Sequence, residues 1–286
     1  MESPKQERNA YFKALGDEFL AEAYDRPCVM STTHVHSVYE LYFNPTSTPH
    51  HCIVSGNDYV FDHPVAILTK PYTIHSVATD TACSESPRWY VFSFSSTSAE
   101  KVGMQQLLLE LLGSNMGLLF SLSEHQASHL ERIIKFLFDP AYPLEETEAL
   151  SLFSFFLRRL SALTEDSQIT GAGTASYSVQ QVMQYICENF QNPLTTQLLS
   201  TRFSVSRSKL DRDFKEALGV TPKSFTELCR LHCAQNLLLA EQDIHISAIA
   251  QMCGFPSENY FYRFFRRNTG MTPTQYKHTA VSDHHV

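Results

Sequence analysis

Apolar positions along the chain keep two different periods. From Val29 to Ser95 they fall in short runs, among them Val35 and Val38, Leu41 and Phe43, Ile53 and Val54, Ile67 and Leu68, and Tyr90, Phe92 and Phe94. Pro45, Pro49, Gly56, Pro64, Pro71 and Pro87 punctuate these runs. Many short strands with turn residues between them predict a β-barrel or sandwich. Outside that region the spacing is helical. Residues 5–24 predict an amphipathic helix with Tyr11, Leu15, Phe19 and Leu20 packed down, and the helical period returns over 100–113, 124–138 and 145–163. The last stretch sets Leu150, Phe153, Leu157 and Leu160 on one stripe, expected to be a dimer seam or else to pack on the chain's own barrel. Thr164 to Ser176 is polar, small and Gly-containing, as a linker is.

Beyond the linker one helical design occurs twice. Thr195 to Phe203 predicts a short helix with Leu198, Leu199 and Phe203 inward; Val205 sits in a turn, and Ser206 caps a second helix that buries Leu210, Phe214 and Leu218. The later copy has Ile246, Ile249, Ala250 and Cys253 at helical spacing, Gly254 as a left-handed stop, Ser257 as a cap, and Tyr260, Phe261, Phe264 and Phe265 inward. Arg212 and Arg263 hold equivalent places 51 residues apart, and each copy closes on Gly, one residue and Thr-Pro. Phe225, Leu228, Leu231, Ala234, Gln235, Leu238 and Leu239 place an apolar face on one long helix between them. Two short helices joined by a tight turn form a helix-turn-helix. A rod of about 20 residues spans about 30 Å, close to the roughly 34 Å of one duplex turn.

These residues resemble the DNA-binding domain of the AraC/XylS family of bacterial transcription regulators over 177–277. Leu210, Arg212, Phe214, Lys215, Gly219 and Pro222 carry the likeness in the first copy, and Arg230, Leu231, Ala234 and Leu238 in the rod. Ile249, Ala250, Gly254, Phe255, Tyr260, Phe261, Arg263, Phe265, Arg266, Gly270, Pro273 and Tyr276 carry it in the second. The resemblance implies a cupin-like effector-binding and dimerisation domain over 1–164, a linker over 165–176, the DNA-binding domain over 177–280 and a tail over 281–286. It also implies duplex DNA, a small organic effector such as a sugar, a second copy of the chain and RNA polymerase as partners, with no membrane and no cofactor. The expected DNA contacts are Arg207, Ser208, Lys209, Asp211, Arg212 and Lys215, then Ser257, Glu258, Asn259, Tyr262, Arg263, Arg266 and Arg267. Arg can grip guanine and Asn adenine, whereas Lys209, Lys215, Arg266 and Arg267 suit phosphate. Asp211 is expected to pair with Arg212 beside it.

Composition sharpens this picture at two points. The net charge of −8 is uneven: residues 1–174 carry 11 Lys and Arg against 21 Asp and Glu, and residues 175–286 carry 11 against 9. A mildly basic half joined to an acidic one fits a nucleic-acid reader with a partner domain, whose affinity rests on local basic placement. Seven cysteines without paired zinc spacing are expected to be reduced thiols of a cytosolic protein. No apolar run approaches the roughly 20 residues of a membrane span, and the first residues lack the apolar core of a secretion signal.

In the β region His34, His36 and Glu40 share one strand face because their offsets are even, and Pro71-x3-His75 follows. The stretch resembles the first cupin motif and part of the second, except that Thr46-Ser47 stand where a Gly is expected. His36, Glu40, Tyr42, Tyr59, His75 and Trp89 are the expected effector contacts. His34, His36, Glu40 and His75 are also a possible metal set, which would make the chain a metal-dependent cupin enzyme fused to a DNA-binding module. Ordinary internal hydrogen bonding and barrel packing would account for the same residues.

Overall fold

The computed structural model describes residues 19–24, 33–36, 38–79, 88–163, 169–240 and 244–282. The chain divides into two compact units. One is built from Ser37–Ala175 and part of the chain before His34, the other from Ser176 onward together with His34–His36.

In the first unit β1 (Phe19–Tyr24), β2 (Tyr39–Asn44), β5 (Val65–Thr69), β7 (Trp89–Phe94), β8 (Asn115–Ser121) and β9 (Ile169–Thr174) form one antiparallel sheet in the order β1-β7-β2-β5-β8-β9. The strands β3 (His50–Val54), β4 (Asn57–Phe61) and β6 (His75–Thr79) form a second, with β3 central. Side chains alternate across a strand, so each strand of the large sheet feeds two cores. Leu41, Phe43, Tyr90, Phe92 and Phe94 face helices, whereas Glu40, Tyr42 and Asn44 face the small sheet. The sheets approach closely at Gly117, where a Cβ would stand 2.8 Å from Val54 Cγ1.

The helices of this unit are α1 (Ser96–Lys101), α2 (Gln105–Leu112), α3 (Glu124–Ile134) and α4 (Glu146–Ala162). The expected helix over 100–113 is two helices parted at Gly103, whose φ of 65° no helix continues through. The stripe of α4 is covered by the chain's own sheet: Leu150, Phe153, Leu157 and Leu160 are fully buried, and the Phe153 ring lies 4.8 Å from Phe92 and 5.1 Å from Phe94. The dimer-seam expectation for this face is therefore corrected in favour of its alternative. Two further expectations change. Residues 19–24 are a strand, not the end of a helix, because the edge of β7 offers them a complete ladder; residues 5–18 of that expected helix lie outside the described residues. Ile169–Thr174, assigned to the linker, form β9 and bury Ala172.

The second unit is helical: α5 (Tyr177–Asn189), α6 (Thr196–Arg202), α7 (Arg207–Leu218), α8 (Pro222–Ala240), α9 (Ile246–Met252), α10 (Glu258–Thr269) and α11 (Pro273–Ser282). Both tight turns use one hydrogen-bond pattern. Gly254 N–H donates to Gln251 O and Phe255 N–H to Ala250 O; Ser204 N–H donates to Thr201 O and Val205 N–H to Ser200 O. This paired closure needs a left-handed residue at its first position, and φ is 77° at Gly254 and 53° at Ser204. A side chain in that region costs about 1–2 kcal/mol, partly offset by the lower chain entropy that Ser loses on folding. Ser204→Gly is accordingly expected to stabilise the chain by about 0.5 kcal/mol, read as a higher urea midpoint at unchanged slope; a lower midpoint would contradict the strain. Of the residues expected inward on α6, Leu199 is buried but Leu198 is 39% exposed.

Candidate nucleic-acid interface

The direction of α7 is set by Ser206, whose Oγ accepts from the Lys209 amide, and by Gly219, left-handed at its C-terminus. Leu210, Phe214, Ala217 and Leu218 take the inner side. That leaves Arg207, Ser208, Lys209, Arg212 and Lys215 exposed and Asp211 half-buried. Ser208, Asp211, Arg212, Lys215 and Glu216 line a surface concavity of about 530 Å³. The expected Asp211–Arg212 pair is corrected: Arg212 Nη2 lies 3.6 Å from Asp213 Oδ1, and Lys209 bonds the same carboxylate. Asp213 stands four residues beyond Lys209, where helical side chains meet. An exposed pair of that length holds its guanidinium weakly, and the Arg212 side chain remains 69% exposed.

The second copy repeats this. Ser257 Oγ accepts from the Tyr260 amide at 3.2 Å, and Gly270 closes α10 left-handed. Phe261, Phe264 and Phe265 are buried, so Ser257, Glu258, Asn259, Arg263, Arg266 and Arg267 are exposed. Glu258 in the first turn favours the positive end of its own helix. Tyr262 is half-buried with its hydroxyl 3.1 Å from Thr274 Oγ1, and the Arg267 guanidinium sits 5.4 Å from the Phe264 ring centre.

The rod α8 ties the copies to the rest of the unit. Arg230 donates from Nε to Phe190 O at 2.8 Å and from Nη2 to Asn192 O at 3.0 Å, catching carbonyls just past α5. Tyr260 donates to Glu227 Oε1 at 2.6 Å, joining α10 to α8. Cys187 and Cys229 place their sulfurs 3.5 Å apart as free thiols.

In the sheet unit the expected effector residues Glu40, Tyr42, His75 and Trp89 are buried and inward-facing. Glu40 Oε1 lies 3.1 Å from His75 Nε2, and His75 Nδ1 lies 2.9 Å from Thr73 O. Burial works against the imidazolium, but Glu40 and the Thr73 carbonyl outweigh it and hold His75 above the usual histidine range. Tyr42 and Trp89 approach to 5.9 Å between ring centres, and Tyr24 stacks on Trp89 at 3.9 Å. Tyr59 is half-buried against Phe61. His34 and His36 belong to the helical unit, their rings 5.7 Å apart, with His232 of α8 stacked 6.3 Å from His34. Of the residues that carry this geometry, the sequence reading missed Asp213, His232 and His50. His50 is a buried inward residue of β3 whose ring lies 5.9 Å from that of Tyr42. Its place in the strand, two residues before buried Cys52, was the available signal.

Known proteins agree with this architecture. A family model described as a helix-turn-helix domain matches residues 199–279. The transcriptional activator RhaS of Escherichia fergusonii is 24% identical over 173 residues, covering 60% of this chain and 62% of that protein. The chain thus spans less than two thirds of the length of that curated relative. Among solved structures, an apo ToxT variant from Vibrio cholerae is 15% identical with a TM-score of 0.62, covering 92% of this chain and 98% of that one. Unsaturated fatty acid-bound ToxT is 16% identical with a TM-score of 0.58, covering 91% and 94%. The shared fold is a sheet-rich N-terminal domain with flanking helices and a helical C-terminal domain with the helix-turn-helix region. Among the described residues no helix is long and apolar enough to cross a membrane.

Proposed function

We propose that the AraC-family likeness carried by the helix-turn-helix domain extends to the whole chain, making it a cytoplasmic, sequence-specific transcription regulator, of the activator type named for the RhaS relatives. The observation that carries this reading is the duplication: α7 and α10 each bury one apolar side and expose Arg212 or Arg263 near a Ser-capped N-terminus. The N-terminal residues of a recognition helix are those that reach base edges. The rod α8 has 19 residues, about 28 Å at the usual rise, which suits two readers on one face of a duplex. In the same reading a small organic effector binds among Glu40, Tyr42, Tyr59, His75 and Trp89. By preferring one state of the protein the effector modulates DNA binding. The regulator acts as a homodimer and engages RNA polymerase; Phe155, 52% exposed on the outer side of α4, and Leu109 offer apolar surface for the second copy.

The test is binding to sites selected from genomic fragments. Arg212→Ala and Arg263→Ala are each expected to lower affinity by about 1–3 kcal/mol while thermal unfolding stays unchanged, because both side chains are exposed. Unaltered affinity in both variants would remove these helices from DNA recognition and the reading with them.

A further inference from the structure

The inner face of the sheets carries a hydrogen-bonding atom that the preceding reading does not use. His50 is 2% exposed, and its Nε2 is buried with no hydrogen-bond partner. Its other nitrogen, Nδ1, lies 3.0 Å from the Thr48 carbonyl, which can only accept, so Nδ1 carries the proton. The Asn44 amide nitrogen, at 3.4 Å, is the longer and weaker neighbour. Burial pushes the His50 pKa down, His63 adds to this, and the Thr48 bond only partly opposes it. The ring is therefore neutral at pH 7, and Nε2 presents a bare lone pair.

Around that lone pair the interior is aromatic, and the imidazole held toward its charged form, His75, is already paired with Glu40. The rings of His50, Tyr42, Trp89 and Tyr24 follow one another at centre distances of 5.9, 5.9 and 3.9 Å, crossing β3, β2, β7 and β1. The register places Glu22 on the inner face beside Val91, and Glu40 is inward with His75 against it. Among the described residues no inward strand position is Lys or Arg. A buried acceptor without a donor is costly, and so is a carboxylate brought into such surroundings without a cation.

We infer that His50 Nε2 is the acceptor that reads a hydrogen-bond donor, an alcohol or amine, on an aromatic-sized effector, and that carboxylates are refused at this site. The inference rests on the effector reading above and adds to it both a residue and a ligand charge. It separates this chain from its structural neighbour ToxT, solved with an unsaturated fatty acid.

Three probes of similar size test it on the full chain: benzyl alcohol, benzylamine (a cation at pH 7) and benzoate. Binding is followed by the imidazole nitrogen signals of ¹⁵N-histidine-labelled protein, with the His50 pair assigned by its loss in His50→Phe. Benzyl alcohol or benzylamine is expected to bind and move the Nε2 signal of His50 in the direction of an accepted hydrogen bond, while benzoate leaves it in place. His50→Phe is expected to weaken the binding by about tenfold, the worth of one buried hydrogen bond, and His50→Gln, which keeps an acceptor, to restore part of it. Saturable binding of benzoate alone would overturn the ligand chemistry while leaving the effector site standing. Alcohol binding that leaves the His50 signal unmoved would overturn the role of this residue. Failure of all three probes to bind would overturn the inference together with the effector reading.

Discussion

Phe153→Ala is expected to lower the stability of the sheet unit by about 3–5 kcal/mol, the range for emptying a fully buried aromatic site. The ring has no exposed surface and packs at 4.8 Å from Phe92, 5.1 Å from Phe94, 5.3 Å from Phe19 and 6.1 Å from Phe156. Four neighbours from two strands and the helix itself cannot all collapse into the space left behind, because each is held by the hydrogen bonds of its own strand or helix. Trp89, the single tryptophan, lies in this unit and reports its unfolding by fluorescence. The same measurement decides what the α4 stripe is for. A core residue shifts the urea midpoint equally at every protein concentration, whereas a seam residue makes the loss depend on concentration. Ser151→Ala, at an exposed position of the same helix, is expected to change the stability by less than about 0.5 kcal/mol. Equal losses for the two variants would refute the assignment of the stripe to the chain's own core.

Gly254→Ala is expected to cost the helical unit about 3 kcal/mol, from two sources. A left-handed side chain costs about 1–2 kcal/mol, and φ at Gly254 is 77°. The added Cβ would also stand 2.4 Å from the Gln191 carbonyl oxygen and 2.7 Å from its Cα. These are backbone atoms, flanked by the Phe190 and Asn192 carbonyls that Arg230 holds, so relief requires moving the chain between α5 and α6. Forced overpacking of this kind costs about 1–3 kcal/mol. Gly270→Ala provides the comparison: φ is 74°, but nothing lies within 4 Å of the added atom. It should show only the conformational cost, about 1–2 kcal/mol. Far-UV circular dichroism, weighted to the helical unit, measures both. Equal losses at the two glycines would mean that the Gln191 contact contributes nothing to holding the second turn.

What the sequence determined by itself is the helical half, because its signals are local. Ser206 and Ser257 cap the helices that follow them, Gly219 and Gly270 end those helices, and the 3.6-residue period of Leu210, Phe214 and Leu218 or Phe261 and Phe265 selects the inner side. Each of these relations spans a few residues, and exposure of Arg212 and Arg263 follows from it. The sheet unit is different. Six residues at 19–24 are too few to separate a period of 2 from one of 3.6, and their ladder partner β7 lies some seventy positions downstream. Ile169–Thr174 carries linker composition yet pairs with β8, because an open sheet edge accepts backbone whatever its side chains. Only the tertiary structure brings His50 against Tyr42 and gives the inner side of α4 to its own sheet. Those choices depend on register and on which surface remains uncovered. Both are properties of the assembled sheets, and no single stretch of the chain encodes them.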